Sequence, residues 1–192
     1  MTHGLPGVGK TTAAMELSRR GVGVYLSNSQ IRSKQSGPNT LEMRLKTWPR
    51  VYAELFRRLE SELALGQSVV LDGTFGRRWQ RTSVYSICER FGVPTLIIAL
   101  HCDERIIHER IEADMRSRSV KVEGRTLADY EYQVATWEPI TADELSSACV
   151  DIIDADTVSC VVSGRTDMSL HSGTLMDAVL ACLESARDAH LI

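Results

Sequence analysis

Gly4-Leu5-Pro6-Gly7-Val8-Gly9-Lys10-Thr11-Thr12 stands almost at the start of the 192-residue chain. The stretch satisfies G-x-x-x-x-G-K-[ST], the pattern of a phosphate-binding loop. Its glycines let the backbone wrap close around a polyphosphate, with successive N–H groups turned inward as an anion nest. In that pattern Lys10 reaches the terminal phosphates and the Thr11 hydroxyl is a ligand for Mg²⁺. Ala13-Ala14-Met15-Glu16-Leu17 follow and favour helix, which turns a helix N-terminus toward the anion. A Gly/Pro surface turn ahead of a helix is the competing explanation. The whole pattern points to a nucleotide site.

Working outward, only Met1-Thr2-His3 precede the loop, although such a loop normally follows a buried strand. Either the first strand is a stub or the chain is the excised end of a longer, fused protein. Excision is the favoured expectation, because so short a central strand buries little. Downstream, Gly21–Leu26 is short, apolar and β-branched and reads as the second strand. It runs into Ser27-Asn28-Ser29-Gln30-Ile31-Arg32, a polar strand end on the edge where ligands gather in open α/β sheets. Ser36–Asn39 reads as a loop. Pro49 suits a first helical position, and Val51, Leu55, Leu59 and Leu63 then recur every four residues before Gly66.

Ser68-Val69-Val70-Leu71-Asp72 is a buried strand ending in an acid. At this distance from the loop, Asp72 fits the second nucleotide-binding motif, which holds Mg²⁺ directly or through water. An Asp closing a strand can also be a helix cap. Arg77, Arg78 and Arg81 follow, either as phosphate or substrate contacts or as one solvated helix face. Val84, Ile87, Cys88 and Phe91 give a helical stripe, and Thr95–Leu100 is an apolar run suited to a strand covered on both faces. Cys102-Asp103-Glu104 opens a further helix. Arg110, Arg116, Arg118, Lys121 and Arg125 beyond it suggest a lid over about residues 112–126, against the alternative of a solvated charged helix. Thr126 can cap a helix running to Trp137, and Cys149–Ile153 is a last strand. Residues 158–173 read as an extra hairpin or insert, and Leu175 to Ala186 as a closing helix. The alternation gives one α/β domain over 1–192, three-layered and doubly wound on a mainly parallel five-stranded sheet.

Composition narrows the classes. Hydrophobic residues at 43% and charged ones at 24% are ordinary for a globular chain, and a net charge of −3 gives no general attraction to nucleic acid. The five cysteines are widely spaced without a C-x-x-C, so buried thiols in a reducing cytoplasm are expected rather than zinc. No apolar run approaches membrane-spanning length and no signal peptide is expected.

Taken together, GLPGVGKTT, the strand running into SNSQIR, VVLDGTF followed by its arginines, and the arginine-bearing lid resemble the polynucleotide-kinase-like branch of the P-loop kinases. Zeta toxins are a more distant likeness, and the resemblance covers about the first 145 residues. It implies an ATP-binding domain of AAA type in the three-layer P-loop NTPase fold, using ATP and Mg²⁺. Lys10 and Thr11 would hold the β/γ-phosphates and the metal, and Asp72 would be the metal acid. Arg32 matches the arginine three residues after the family's catalytic aspartate, but that aspartate position holds Ser29. Arg110 fits the first lid arginine and Arg116 the next at a longer spacing, while Arg78 would add charge near the phosphates. The implied function is transfer of the γ-phosphoryl group to a hydroxyl of a small-molecule or nucleotide-like acceptor. Two alternatives stand beside it: a nucleotide-binding or regulatory module with degenerate activity, and a polynucleotide 5′-hydroxyl kinase. The nucleic-acid alternative is not favoured by the overall acidity. ATP rather than GTP follows from the resemblance, there being no N-K-x-D pattern.

Overall fold

Among the described residues, three parallel strand pairings and two antiparallel ones arrange the chain around its first glycine-rich turn. The computed structural model describes residues 1–34, 40–116, 126–145, 150–157, 161–164, 169–171, 177 and 179–181. Strand β1 (Thr2–His3) leads into the loop and helix α1 (Lys10–Arg19), followed by β2 (Val24–Ser27), α2 (Asn28–Arg32) and α3 (Leu41–Ala64). Then come β3 (Val69–Asp72), α4 (Arg78–Arg90), β4 (Thr95–His101), α5 (Glu104–Arg116), α6 (Leu127–Ala135) and α7 (Ala142–Leu145). Strands β5 (Val150–Asp156), β6 (Val161–Gly164) and β7 (Ser169–His171) end the described sheet. Residues 177 and 179–181 are helical.

Strand β4 lies parallel between β1 and β5, and β2 pairs in parallel with β3 from Val24 opposite Val69 to Ser27 opposite Asp72. Side-chain bonds rather than a ladder join the two groups. The Thr2 hydroxyl donates to the Leu71 carbonyl at 3.2 Å and accepts from the Gly73 N–H at 3.4 Å. The parallel order is therefore β2, β3, β1, β4, β5, with β6 and β7 added antiparallel on the far edge. Strand direction places the loop after β1 at the point where the connections diverge, the crevice in which open α/β sheets bind ligands.

Neighbouring β-residues point to opposite faces, and β3 shows the result. Val70 joins the core around Leu17 of α1 and Ile107 and Ile111 of α5, whereas Leu71 joins that around Leu55 of α3 and Val84 of α4. Helices thus cover both faces of the sheet, giving the three layers of the P-loop fold. Below the short β1, Leu17, Leu59, Val70, Val84, Cys88 and Leu96 line an apolar pocket of about 350 Å³.

Three local readings change. Pro49 lies inside α3 rather than opening it, because Thr40 caps the helix nine residues earlier by accepting from the Met43 N–H. SNSQIR is not a strand end throughout: after Ser27 the chain turns at once into α2, capped by the Ser27 hydroxyl. The helix after Thr126 stops at Ala135. The loop read at 36–39, most of the lid including Arg118, Lys121 and Arg125, Cys149, and most of the closing helix lie outside the described residues. Among the described residues no helix is long and apolar enough to cross a membrane.

Candidate active site

The glycine-rich turn is shaped for close approach. Gly4 has φ 145° and a side chain there would strike the Leu100 carbonyl oxygen at 2.3 Å. Gly9, with φ 99°, is the N-cap of α1, so the first N–H groups of that helix open toward the turn. Val8 is buried and anchors the turn in the core. Lys10 Nζ donates to the Leu5 carbonyl at 2.7 Å, which folds its stem along the turn. Thr12, in the first turn of α1, is exposed.

At the end of β3, Asp72 is buried and its Oδ2 collects three donors. Thr11 Oγ1 donates at 2.9 Å, Tyr25 OH at 2.7 Å and Ser27 Oγ at 3.2 Å. Burial, the largest cause, raises the Tyr25 pKa well above the ordinary phenol value, so Tyr25 stays a neutral donor. Thr11 and Asp72, 61 residues apart, therefore converge on one point beside the turn. A turn that a Cβ would fill, a helix N-terminus and a hydroxyl–carboxylate pair form a donor set that fits Mg²⁺ with a polyphosphate.

A cleft of about 630 Å³ starts at this point. Pro6, Gly7, Gly9, Lys10, Thr11 and Asp72 line it together with Ser29, Arg32, Arg44, Trp48, Asp129 and Gln133. Ser29 and Ser27 hydroxyls share a hydrogen bond of 2.8 Å. Arg44 and Asp129 are both buried and form an ion pair that bolts α3 to α6. Trp48 rests against Tyr132 with ring centroids 5.8 Å apart.

The remaining arginines are elsewhere. Arg110 Nη1 donates to the Gly7 carbonyl at 3.1 Å and to Thr157 Oγ1 at 3.4 Å, so it braces the back of the turn. Arg78 is half-exposed and paired with Asp143, and Arg116 is exposed and paired with Glu112; neither lines the cleft. Arg77 reaches Glu138. Arg81 is fully buried: it pairs with Glu144 at 2.7 Å and donates to the carbonyls of Phe75, Glu138 and Pro139. These three side chains fasten α4 to the segment around α7 instead of presenting a solvated or phosphate-facing row.

Tyr25 and Asp129 carry no signal in the sequence, whereas Arg44 and Trp48 fall in the segment Ser33–Trp48, where acceptor choice is expected to reside although no recognisable code marks it. One signal for two of them was available. Arg44 and Trp48 extend the stripe of Val51, Leu55 and Leu59 backwards at helical spacing. A charge on an apolar stripe points to a buried pair.

A phosphate-binding turn at the divergence of a parallel sheet, with an acid at the end of the adjacent strand, defines the P-loop nucleotide-binding class. The family model described as AAA domain matches residues 1–136, and the chain belongs to that family. A candidate kinase from Chloroflexus aurantiacus j-10-fl superposes with a TM-score of 0.71 at 16% identity, over 98% of this chain and 94% of that one. Chaetomium thermophilum Kti12, solved in complex with ADP-AlF3, gives 0.58 at 16% identity, over 82% of this chain and 88% of that one. At these identities the likeness is one of fold. No curated protein sequence matches the chain.

Proposed function

We propose that the protein is an ATP-dependent phosphotransferase that moves the γ-phosphoryl group to a hydroxyl of a small-molecule or nucleotide-like acceptor. The observation that carries this reading is continuity. One cleft is lined both by the turn with the Thr11–Asp72 pair and by Arg32, Arg44 and Trp48, which supports a nucleotide and a second molecule meeting in the same space. The candidate kinase of the same fold and the ADP-AlF3 held by Kti12 support it.

In the transfer the acceptor oxygen bonds to the γ-phosphorus as the bond to the β–γ bridging oxygen breaks. ADP leaves, and the hydroxyl proton passes to solvent. The turn's N–H groups and Lys10 hold the β- and γ-phosphates, and Arg32 offsets charge on the acceptor side. Thr11 and Asp72 would hold Mg²⁺, which neutralises phosphate oxygens when bound. Arg110 keeps the turn in shape through Gly7. Ser29 supplies no carboxylate, but a loose transition state needs little deprotonation of the nucleophile beforehand, and losing a general base typically costs ~10²–10⁴-fold.

Lys10→Ala abolishes transfer from labelled ATP while the protein stays folded. A wild type that labels nothing across a broad acceptor panel defeats the reading. Ser29 favours one rival, a nucleotide-binding module with feeble hydrolysis. Ser29→Asp separates the two: a gain in transfer marks a weakened kinase, whereas nucleotide binding without turnover in both forms marks a binding module.

A further inference from the structure

Ser29 lines the same cleft as Lys10, Thr11 and Asp72, and the hydroxyl protons beside it can be followed one by one. A hydroxyl has one proton to give and two lone pairs with which to receive. Ser27, the cap of α2, is 2% exposed, so its partners come from the protein rather than from water. Its Oγ gives its proton to Asp72 Oδ2 at 3.2 Å, a carboxylate being a stronger acceptor than a neighbouring hydroxyl. The same Oγ receives the Ser29 N–H at 3.2 Å. The 2.8 Å contact between the two hydroxyls then has a single direction: Ser29 donates and Ser27 accepts.

The consequence falls on Ser29. With its proton turned toward Ser27, the exposed Ser29 oxygen presents lone pairs alone to the cleft. An ether or phosphate oxygen is repelled there, whereas an O–H group is received. Ser29 Oγ also stands two hydrogen bonds from Asp72 Oδ2, the atom to which Thr11 donates at 2.9 Å. It therefore belongs to the hydroxyl network around the pair that would hold Mg²⁺ and the phosphates.

We propose that Ser29 orients the nucleophile: its Oγ accepts a hydrogen bond from the acceptor's hydroxyl and so turns a lone pair of that oxygen toward the γ-phosphorus. Ser27 is a positioning residue, because it fixes the direction of the Ser29 proton. The proposal rests on the kinase reading and deepens it. What a carboxylate does as a base is absent here, while what it does as an orienting acceptor is kept by a hydroxyl. Ser29 neither gains nor loses a proton. The acceptor's O–H stays in its hydrogen bond while the oxygen–phosphorus bond forms and the bond to the β–γ bridging oxygen breaks, and its proton then leaves for solvent.

Transfer from γ-labelled ATP with Mg²⁺ is measured to water and to a panel containing glycerol, glucose and adenosine, with nucleotide affinity read alongside by calorimetry. In Ser29→Ala, kcat for the best of these acceptors falls about tenfold, the worth of one hydrogen bond made to the reacting group. Nucleotide Kd stays within about twofold, since Ser29 touches only the acceptor. Ser29→Thr keeps a hydroxyl and holds kcat within about threefold of the wild type. Ser27→Ala lowers kcat as well, partly through Asp72, so the link between the serines is read from a double-mutant cycle. Removing the Ser27 hydroxyl costs about threefold less in the Ser29→Ala background than in the wild type. An unchanged kcat in Ser29→Ala, or additive effects of the two serines, overturns the proposal while the kinase reading stands. A wild type that transfers neither to water nor to any panel member overturns both.

Discussion

His3 shows how one side chain records its surroundings. It is buried on β1, its ring lies 4.6 Å from that of Trp137, and its pKa is lowered from 6.5 to about 4. Burial is the main cause, with the nearby charges of Arg81 and Lys10 next. Since the folded-state pKa is depressed, the unfolded chain takes the proton first as pH falls. Stability is therefore lost between about pH 6.5 and pH 4 and is flat for this group outside that window. Urea melts of the wild type and of His3→Phe, compared at pH 7.5 and pH 4, should show the wild type losing about 3 kcal/mol more than the variant. A parallel loss in both would place the titration elsewhere. Tyr25 makes a different prediction, because its hydroxyl is one of three donors on Asp72 Oδ2. Tyr25→Phe should raise the Mg²⁺ concentration needed for nucleotide binding about tenfold, read by calorimetry at fixed nucleotide. An unchanged requirement would reduce Tyr25 to a packing role. The glycine-rich pattern with Lys10 and Thr11 was legible from spacing, and Asp72 from its place at the end of an apolar strand downstream, and the structure brings Thr11 and Asp72 within 2.9 Å. Tyr25 was not, because a tyrosine in a short apolar strand looks like any other core aromatic.

Among the elements, α4 is held chiefly through Arg81. Its side chain is fully buried against Glu144, and it also donates to the carbonyl of Phe75, which has φ 48° in the turn after Asp72. Helix α4, α7 and the turn after Asp72 are thus fixed by one guanidinium. Arg81→Met should cost about 3–5 kcal/mol in chemical denaturation, since Glu144 would be left buried and unpaired. Arg81→Met/Glu144→Leu should recover most of that loss in stability but not the placement of the Asp72 turn, so nucleotide affinity stays reduced. Full recovery of both would make the pair dispensable. Arginines that follow a metal acid in sequence invite a phosphate-binding interpretation. What decides against it for Arg77, Arg78 and Arg81 is long-range partnership with Glu138, Asp143 and Glu144, some 60 residues on. Pro49 teaches the complementary lesson, because the cap at Thr40 and the tie from Arg44 to Asp129 outweigh the missing N–H at a helix interior.

At the scale of the molecule, parallel strands with helices on both faces could be read from the alternation of apolar runs and helical stripes, because a strand buried on both sides cannot hide its composition. The joining of β1 to β3 through the Thr2 hydroxyl could not, since it depends on one side chain replacing ladder bonds. The placement of the three tryptophans has a spectroscopic consequence. Trp48 lines the cleft, Trp79 packs edge-on against Tyr52 and Phe56, and Trp137 covers His3, so none belongs to the core around α1 and α5. Indole emission therefore samples the α3–α4 face and the cleft, while the opposite half of the interior, where Tyr25 and Tyr130 lie, contributes no indole signal. Coincidence of the indole signal with far-ultraviolet circular dichroism would then measure how tightly the two faces of the sheet unfold together.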